Sequence, residues 1–225
     1  MIKLDNVSKT FTLGTVGLSG ITLSIDKGEF IFIVGPTGSG KTTLFRLLIK
    51  DMIPTEGTIS IGDWDIGRLP QKKIPHLRKK VGVVFQNLKL LFDRTIFENV
   101  VLPLEVAGIK QKDAMQKVED VLKQVDILHH SEKFPIQLSG GELQRAAIAR
   151  ALVLSPDILL ADEPTGNLDP TTSKEIVKLL SDINEKGTTV IMATHNMDIV
   201  NSMHKRVVAL ERGKLVRDEK KGKYA

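Results

Sequence analysis

The stretch Gly35-Pro36-Thr37-Gly38-Ser39-Gly40-Lys41-Thr42-Thr43 constrains this chain more than any other. It has the form G-x-x-x-x-G-K-T, follows the apolar run Phe30-Ile31-Phe32-Ile33-Val34 and opens an amphipathic helical pattern from Thr42 to about Lys50. Strand, glycine-rich loop and helix in that order predict a phosphate cradle. Glycines let successive backbone N–H groups turn inward around a β-phosphate at the positive end of the helix. Lys41 adds a point charge against the β- and γ-phosphates, and the Thr42 hydroxyl suits Mg²⁺.

The sequence has 225 residues and a single loop of this kind, so it reads as one domain with one nucleotide motif. Its 41% hydrophobic and 26% charged residues are those of a globular protein. There is no apolar run of the roughly 18 residues a membrane helix needs, and Met1-Ile2-Lys3-Leu4-Asp5 is not a signal peptide. A cytoplasmic protein is expected, held at a membrane only through a partner. Without cysteine there is neither disulfide nor thiolate metal site. The net charge of +5 gathers at Lys72, Lys73, Arg78, Lys79, Lys80 and the tail lysines, but an aromatic content of 4% leaves few platforms for stacking bases. No direct nucleic-acid partner is expected.

Along the chain, Ile2 to Phe11 and Ile21 to Ile25 read as strands joined by a link loosened by Gly14, Gly17 and Gly20. Phe11 is either a core residue or a face for adenine. Thr58 to Gly62 alternates as a short strand, and Trp64 packs on that small sheet. Val81 to Phe85 is a buried strand ending at Gln86, an amide able to ligate Mg²⁺ through its oxygen. From Asn87 to about Ser155 the pattern is helical. Met115, Val118, Val121, Leu122 and Val125 mark one inward face, and the apolar segment Leu90 to Gly108 is either core or a partner groove.

Leu138-Ser139-Gly140-Gly141-Glu142 is a second glycine loop opening a helix, suited to anionic oxygen but lacking a lysine and a preceding strand. Ile158 to Ala161 is an apolar strand ending in Asp162 and Glu163, which alternation sends to different jobs: Asp162 to Mg²⁺, Glu163 to an attacking water. Asp169 caps a helix with Pro170 at its first position. Thr189 to Thr194 is another buried strand, and His195 at its end is expected at a γ-phosphate or water. Val207 to Val216 closes as a hairpin turning near Arg212-Gly213. His76, His129, His130 and His204 read as surface or packing residues.

In this order, the phosphate loop, Gln86, Leu138 to Glu142, Ile158 to Glu163, Asn167 to Asp169 and His195 resemble the nucleotide-binding domain of ABC ATPases. The resemblance spans nearly the whole chain, and the LSGGE sequence sets this family apart from other phosphate-loop NTPases. It implies an α/β fold: a P-loop NTPase core with a mainly parallel sheet, a small antiparallel β subdomain and a helical subdomain from about 87 to 155. It implies hydrolysis of ATP with Mg²⁺, carried by Glu163, His195 and Lys41. Residues Gly35 to Thr43, Gln86, Asp162, Ser139 to Glu142, Asp169 and Phe11, where the adenine-stacking aromatic is expected, would bind the nucleotide. Thr42, Gln86 and Asp162 would hold the metal. It further implies a head-to-tail homodimer in which Ser139 to Glu142 of one chain close over the ATP held by Lys41 of the other.

Ile74 to Gln86, Leu90 to Val100 and Phe134 to Gln137 look like the bacterial cell-division branch of this family. That likeness implies an FtsX-like integral membrane partner at the inner face of the cell membrane, docked on the apolar segment after Gln86, through which cell-wall hydrolases are controlled. The phrase Asp162 to Asp169 is shared with lipoprotein-releasing and macrolide-type transport ATPases, the alternative assignment. ATPases of chromosome maintenance insert long coiled coils between loop and signature, and no sustained heptads lie between Lys41 and Ser139.

Overall fold

A computed structural model describes residues 1–12 and 14–224. β1 (Ile2–Thr10) pairs antiparallel with β2 (Val16–Ile25), Ile2 opposite Ile25 and Leu4 opposite Leu23. β3 (Phe30–Val34) runs through the phosphate loop into α1 (Lys41–Leu48), and β4 (Glu56–Ile61) with β5 (Trp64–Asp65) completes an antiparallel sheet of order β2-β1-β4-β5. The chain continues through α2 (Ile74–Lys80), β6 (Val81–Val84), α3 (Ile96–Val106), α4 (Gln111–Gln124), α5 (Gly140–Leu152), β7 (Ile158–Asp162), α6 (Pro170–Glu185), β8 (Thr189–Ala193) and α7 (Met197–Met203) to the hairpin β9 (Arg206–Glu211) and β10 (Lys214–Glu219). The second sheet has the order β10-β9-β3-β8-β7-β6 and is parallel except for β10.

The apolar runs become the central strands because both faces of this sheet are covered. Alternation then sorts side chains. Phe30, Phe32, Leu159, Ala161, Val190 and Met192 pack under α3 to α6. Ile31, Ile33, Ile158, Leu160, Ile191 and Ala193 pack against α1 and the antiparallel sheet. Parallel strands share one carboxyl edge, so β3, β6, β7 and β8 deliver the phosphate loop, Gln86, Asp162 and His195 to the same side. α3, α4 and α5 pack on one another beside this edge.

Four expectations need correction. β2 begins at Val16, so Gly17 and Gly20 lie inside a strand rather than in a link; register shifts in β1 absorb the left-handed Gly20 (φ 62°). Residues 87–95 are not helical: Leu88 and Lys89 are left-handed (φ 53° and 56°), and helix starts only where the Thr95 capping box begins α3. In α4 the inward face is Ala114, Val118, Val121 and Leu122, whereas Met115 is 54% exposed. The segment Leu90 to Gly108 divides: Leu90, Ile96, Val100 and Leu104 enter the core, while Leu91, Phe92 and Val106 stay exposed.

Candidate nucleotide site

A cleft of about 290 Å³ opens at the carboxyl edge of the parallel sheet. It is lined by Phe11, by Thr37 to Thr43 of the loop and α1, and by Gln86, Asp162, Glu163 and His195. Gly35 and Pro36 lie beneath it, their carbonyls accepting from Lys41 Nζ at 2.7 and 3.1 Å. Glycine is required at position 35, where φ is 145° and a Cβ would stand 2.1 Å from the Leu210 carbonyl oxygen. Ser39 Oγ is buried without a hydrogen-bond partner among the described residues, an orphaned donor at the loop's centre.

The charges here are set by burial and by each other. Burial lowers the pKa of Lys41, with Glu163 and then Asp162 acting in the opposite sense. Asp162 is pushed up by burial; the Thr42 hydroxyl, which donates to its Oδ2 at 3.0 Å, draws it down. Thr42, Asp162 and the Gln86 amide offer neutral and anionic oxygen, the donor type Mg²⁺ prefers.

Glu163 leaves β7 in a left-handed conformation (φ 48°), its N–H donating to the Ala193 carbonyl at 2.9 Å. This turn separates it from Asp162: its Oε1 lies 2.9 Å from His195 Nδ1. The Glu163 side chain is only 10% exposed while His195 is 66% exposed, so the carboxylate sits at the floor of the cleft and the imidazole at its rim. At the other end, Phe11 packs so closely on Gly17 that a Cβ there would meet its ring at 2.7 Å. Thr15, Val16 and Gly17 also line this mouth. Sequence pattern does not reveal them, because alternation marks β2 clearly only from Ile21 onward.

Ser139, Gly140, Gly141, Glu142 and Asp169 are elsewhere. With Arg145, Asn167, Leu168, Thr172 and Glu175 they line a second cleft of about 280 Å³ that shares no residue with the first. Ser139 caps α5, with Glu142 Oε2 accepting from its N–H and its hydroxyl at 2.7 Å each. These bonds hold the Glu142 carboxyl at about 2, with help from His130. His130 Nε2 lies 2.8 Å from Glu142 Oε1, so this histidine, read from sequence as a surface or packing residue, touches the signature loop. Asp169 caps α6 by accepting from the N–H groups of Thr171 and Thr172 at 2.9 and 3.1 Å; its contacts with Thr172 hold its pKa low.

A sheet of this order carrying a phosphate loop and a separate glycine loop defines an ATP-binding cassette. Residues 18–166 match the family model of the ABC transporter, and the chain belongs to that family; it is an ATPase. Its full length is 49% identical to the "Cell division ATP-binding protein FtsE" of Bacillus subtilis, covering 98% of that protein. The proteins of the same name from Mycobacterium tuberculosis and Escherichia coli are 49% and 42% identical, with 98% and 97% of each covered by 100% and 96% of this chain. Among solved structures, the dimeric post-hydrolysis state of the ATP-binding cassette MJ0796 bound to ADP and Pi superposes with a TM-score of 0.89 at 36% identity, 99% of each chain being covered. The cassette cbiO1 of Clostridium perfringens gives 0.90 at 32% identity, over 97% of this chain and 88% of that one.

Proposed function

We propose that this chain is the ATP-hydrolysing subunit of a bacterial cell-division complex, a single nucleotide-binding domain that dimerises on ATP and drives conformational change in an FtsX-like membrane protein. The observation that carries the ATP-dependent dimer is the division of its site into two clefts without a common residue. The first has lysine and carboxylates; the second has a capped glycine loop and no lysine. Two chains related head to tail would make each cleft whole, giving a C₂ dimer with two enclosed nucleotides. Full-length likeness to the FtsE proteins supports the cell-division role.

In this reading Phe11 stacks on adenine and Gly35 to Thr43 wrap the phosphates, with Lys41 exchanging its carbonyl partners for phosphate oxygen. Thr42, Gln86 and Asp162 would hold Mg²⁺, which supplies charge neutralisation at the phosphates. Glu163 orients the attacking water, and His195, already against that carboxylate, steadies the γ-phosphate as charge develops. The Ser139 hydroxyl of the facing chain contacts the same γ-phosphate, and Asp169 stands beside that loop.

Among the described residues no helix is long and apolar enough to cross a membrane, so attachment at the inner face of the membrane would come through the partner. The docking surface is the exposed part of the segment after Gln86: Leu91, Phe92 and Val106, continuing into a groove of about 310 Å³ where α2 meets α3. Purification of Glu163→Gln from detergent-solubilised membranes with Mg-ATP tests this. An FtsX-like protein should dominate the co-purified material; recovery of lipoprotein-transporter subunits would overturn the division role and leave the ATPase standing.

A further inference from the structure

We propose that Arg150 is a positioning residue for Gln86: from α5 it staples the two left-handed peptides that follow Gln86, so that this loop moves with the signature helix. The inference rests on the role proposed above for Gln86. Arg150 donates through its two terminal nitrogens to the carbonyls of Lys89 and Leu88, each at 2.6 Å. Consecutive non-glycine residues in the left-handed region bring each Cβ too close to the following carbonyl oxygen, so the turn needs an external hold. Its own bonds are short-range, Leu88 N–H to the Phe85 carbonyl at 2.9 Å and Lys89 N–H to the Asn87 carbonyl at 2.5 Å.

Satisfying carbonyls is not a sufficient account of Arg150. Lys89 is exposed and Leu88 half-buried, so water could serve both oxygens. Arg150 instead keeps its guanidinium partly desolvated, which lowers its pKa through burial, in exchange for two charged bonds in a fork that fixes direction as well as distance.

The downstream end of the loop is tied to the same body. Asn99 of α3, fully buried, accepts from the Leu91 N–H at 2.7 Å and donates to the carbonyls of Leu91, Arg94 and Thr95. Gln86 follows β6 through Phe85, and the residues after it are held to the helices by two clamps. Asp162 ends β7 and Glu163 follows it, while His195 lies two residues beyond β8, the same offset that Gln86 has beyond β6.

α5 begins at the Ser139 cap, and Arg150 lies roughly 16 Å along it at 1.5 Å per residue. One rigid helix thus spans from the loop that would close over the facing chain's nucleotide to the staple on Gln86 of its own cleft. Displacement of α5 on closure would carry Gln86 with it, linking the two clefts of one chain.

The test is a double-mutant cycle on the full-length protein, reading kcat and KM for Mg-ATP and the affinity for a fluorescent ATP analogue. Gln86→Ala and Arg150→Gln should each lower kcat about tenfold with analogue affinity within about twofold. The combined variant should be no slower than either alone, and Arg150→Lys, with one compact donor group, should fall between. Multiplying effects in the combined variant, or parental turnover in Arg150→Gln, would overturn the staple. Parental turnover in Gln86→Ala would instead remove the role of Gln86 and the inference with it. If Arg150→Gln melts below the assay temperature, Arg150→Lys carries the same cycle and is read the same way.

Discussion

Glu163 is the side chain on which hydrolysis is proposed to turn, and its setting suits a group that must act on water without leaving its place. A non-glycine residue at φ 48° is strained, held here by its N–H bond to Ala193 and its contact with His195. Glu163→Gln keeps size and hydrogen bonding but removes the basic oxygen. It should bind ATP with parental affinity while hydrolysis falls by about two orders of magnitude or more; a steady-state assay showing near-parental turnover would remove Glu163 from that role.

Glu142 gives a pH prediction. Its folded pKa of about 2 lies below the ordinary 4.5, so its contribution to stability is complete above the ordinary value and is lost as pH falls through the folded one. The melting temperatures of the parent and Glu142→Gln should differ by a constant amount at neutral pH and converge between about pH 4.5 and 2; a gap that widens on acidification would contradict the assignment. Ser139 and Glu142 have the spacing of a capping box, which the reading of this loop as an anion site passed over. His130 was not legible as a partner, because it reaches Glu142 from a separate short turn and nothing in local periodicity reports such a contact.

Among elements, those buried on two sides were readable because burial leaves a continuous apolar run: β3, β7 and β8 appear in sequence as they do in the fold. α6 was readable at its start, from the Asp169 cap and Pro170, and it ends just before the left-handed Gly187. The connector 87–95 was misread because its leucines and phenylalanine imitate helical spacing, while its conformation is imposed by Arg150 and Asn99, distant in sequence or hidden in the next helix. This makes Asn99 a structural test. Asn99→Ala would remove a fully buried amide and its bonds to the Leu91 N–H and the Leu91, Arg94 and Thr95 carbonyls, and should cost roughly 1–3 kcal/mol. Urea unfolding would register it as a lower midpoint with an unchanged slope; an unchanged midpoint would mean that the clamp contributes little.

At the scale of the molecule, the two clefts make a prediction that no single chain can satisfy. Lys41→Ala removes the ammonium from the first cleft and leaves the second intact, while Ser139→Arg fills the second and leaves the first intact. In the proposed dimer, each variant alone would leave both sites damaged. A mixed head-to-tail dimer brings the intact Lys41 of one chain to the intact signature loop of the other, and concentrates both lesions in the remaining site. If the two variants mix freely and sites act independently, half the dimers carry one whole site, giving about a quarter of the parental rate per chain. Hydrolysis should therefore reappear when two inactive preparations are combined with Mg-ATP, and should rise with total protein concentration as dimers form. If each chain completed its own site, the mixture would stay as inactive as its parts, because every chain in it carries one lesion.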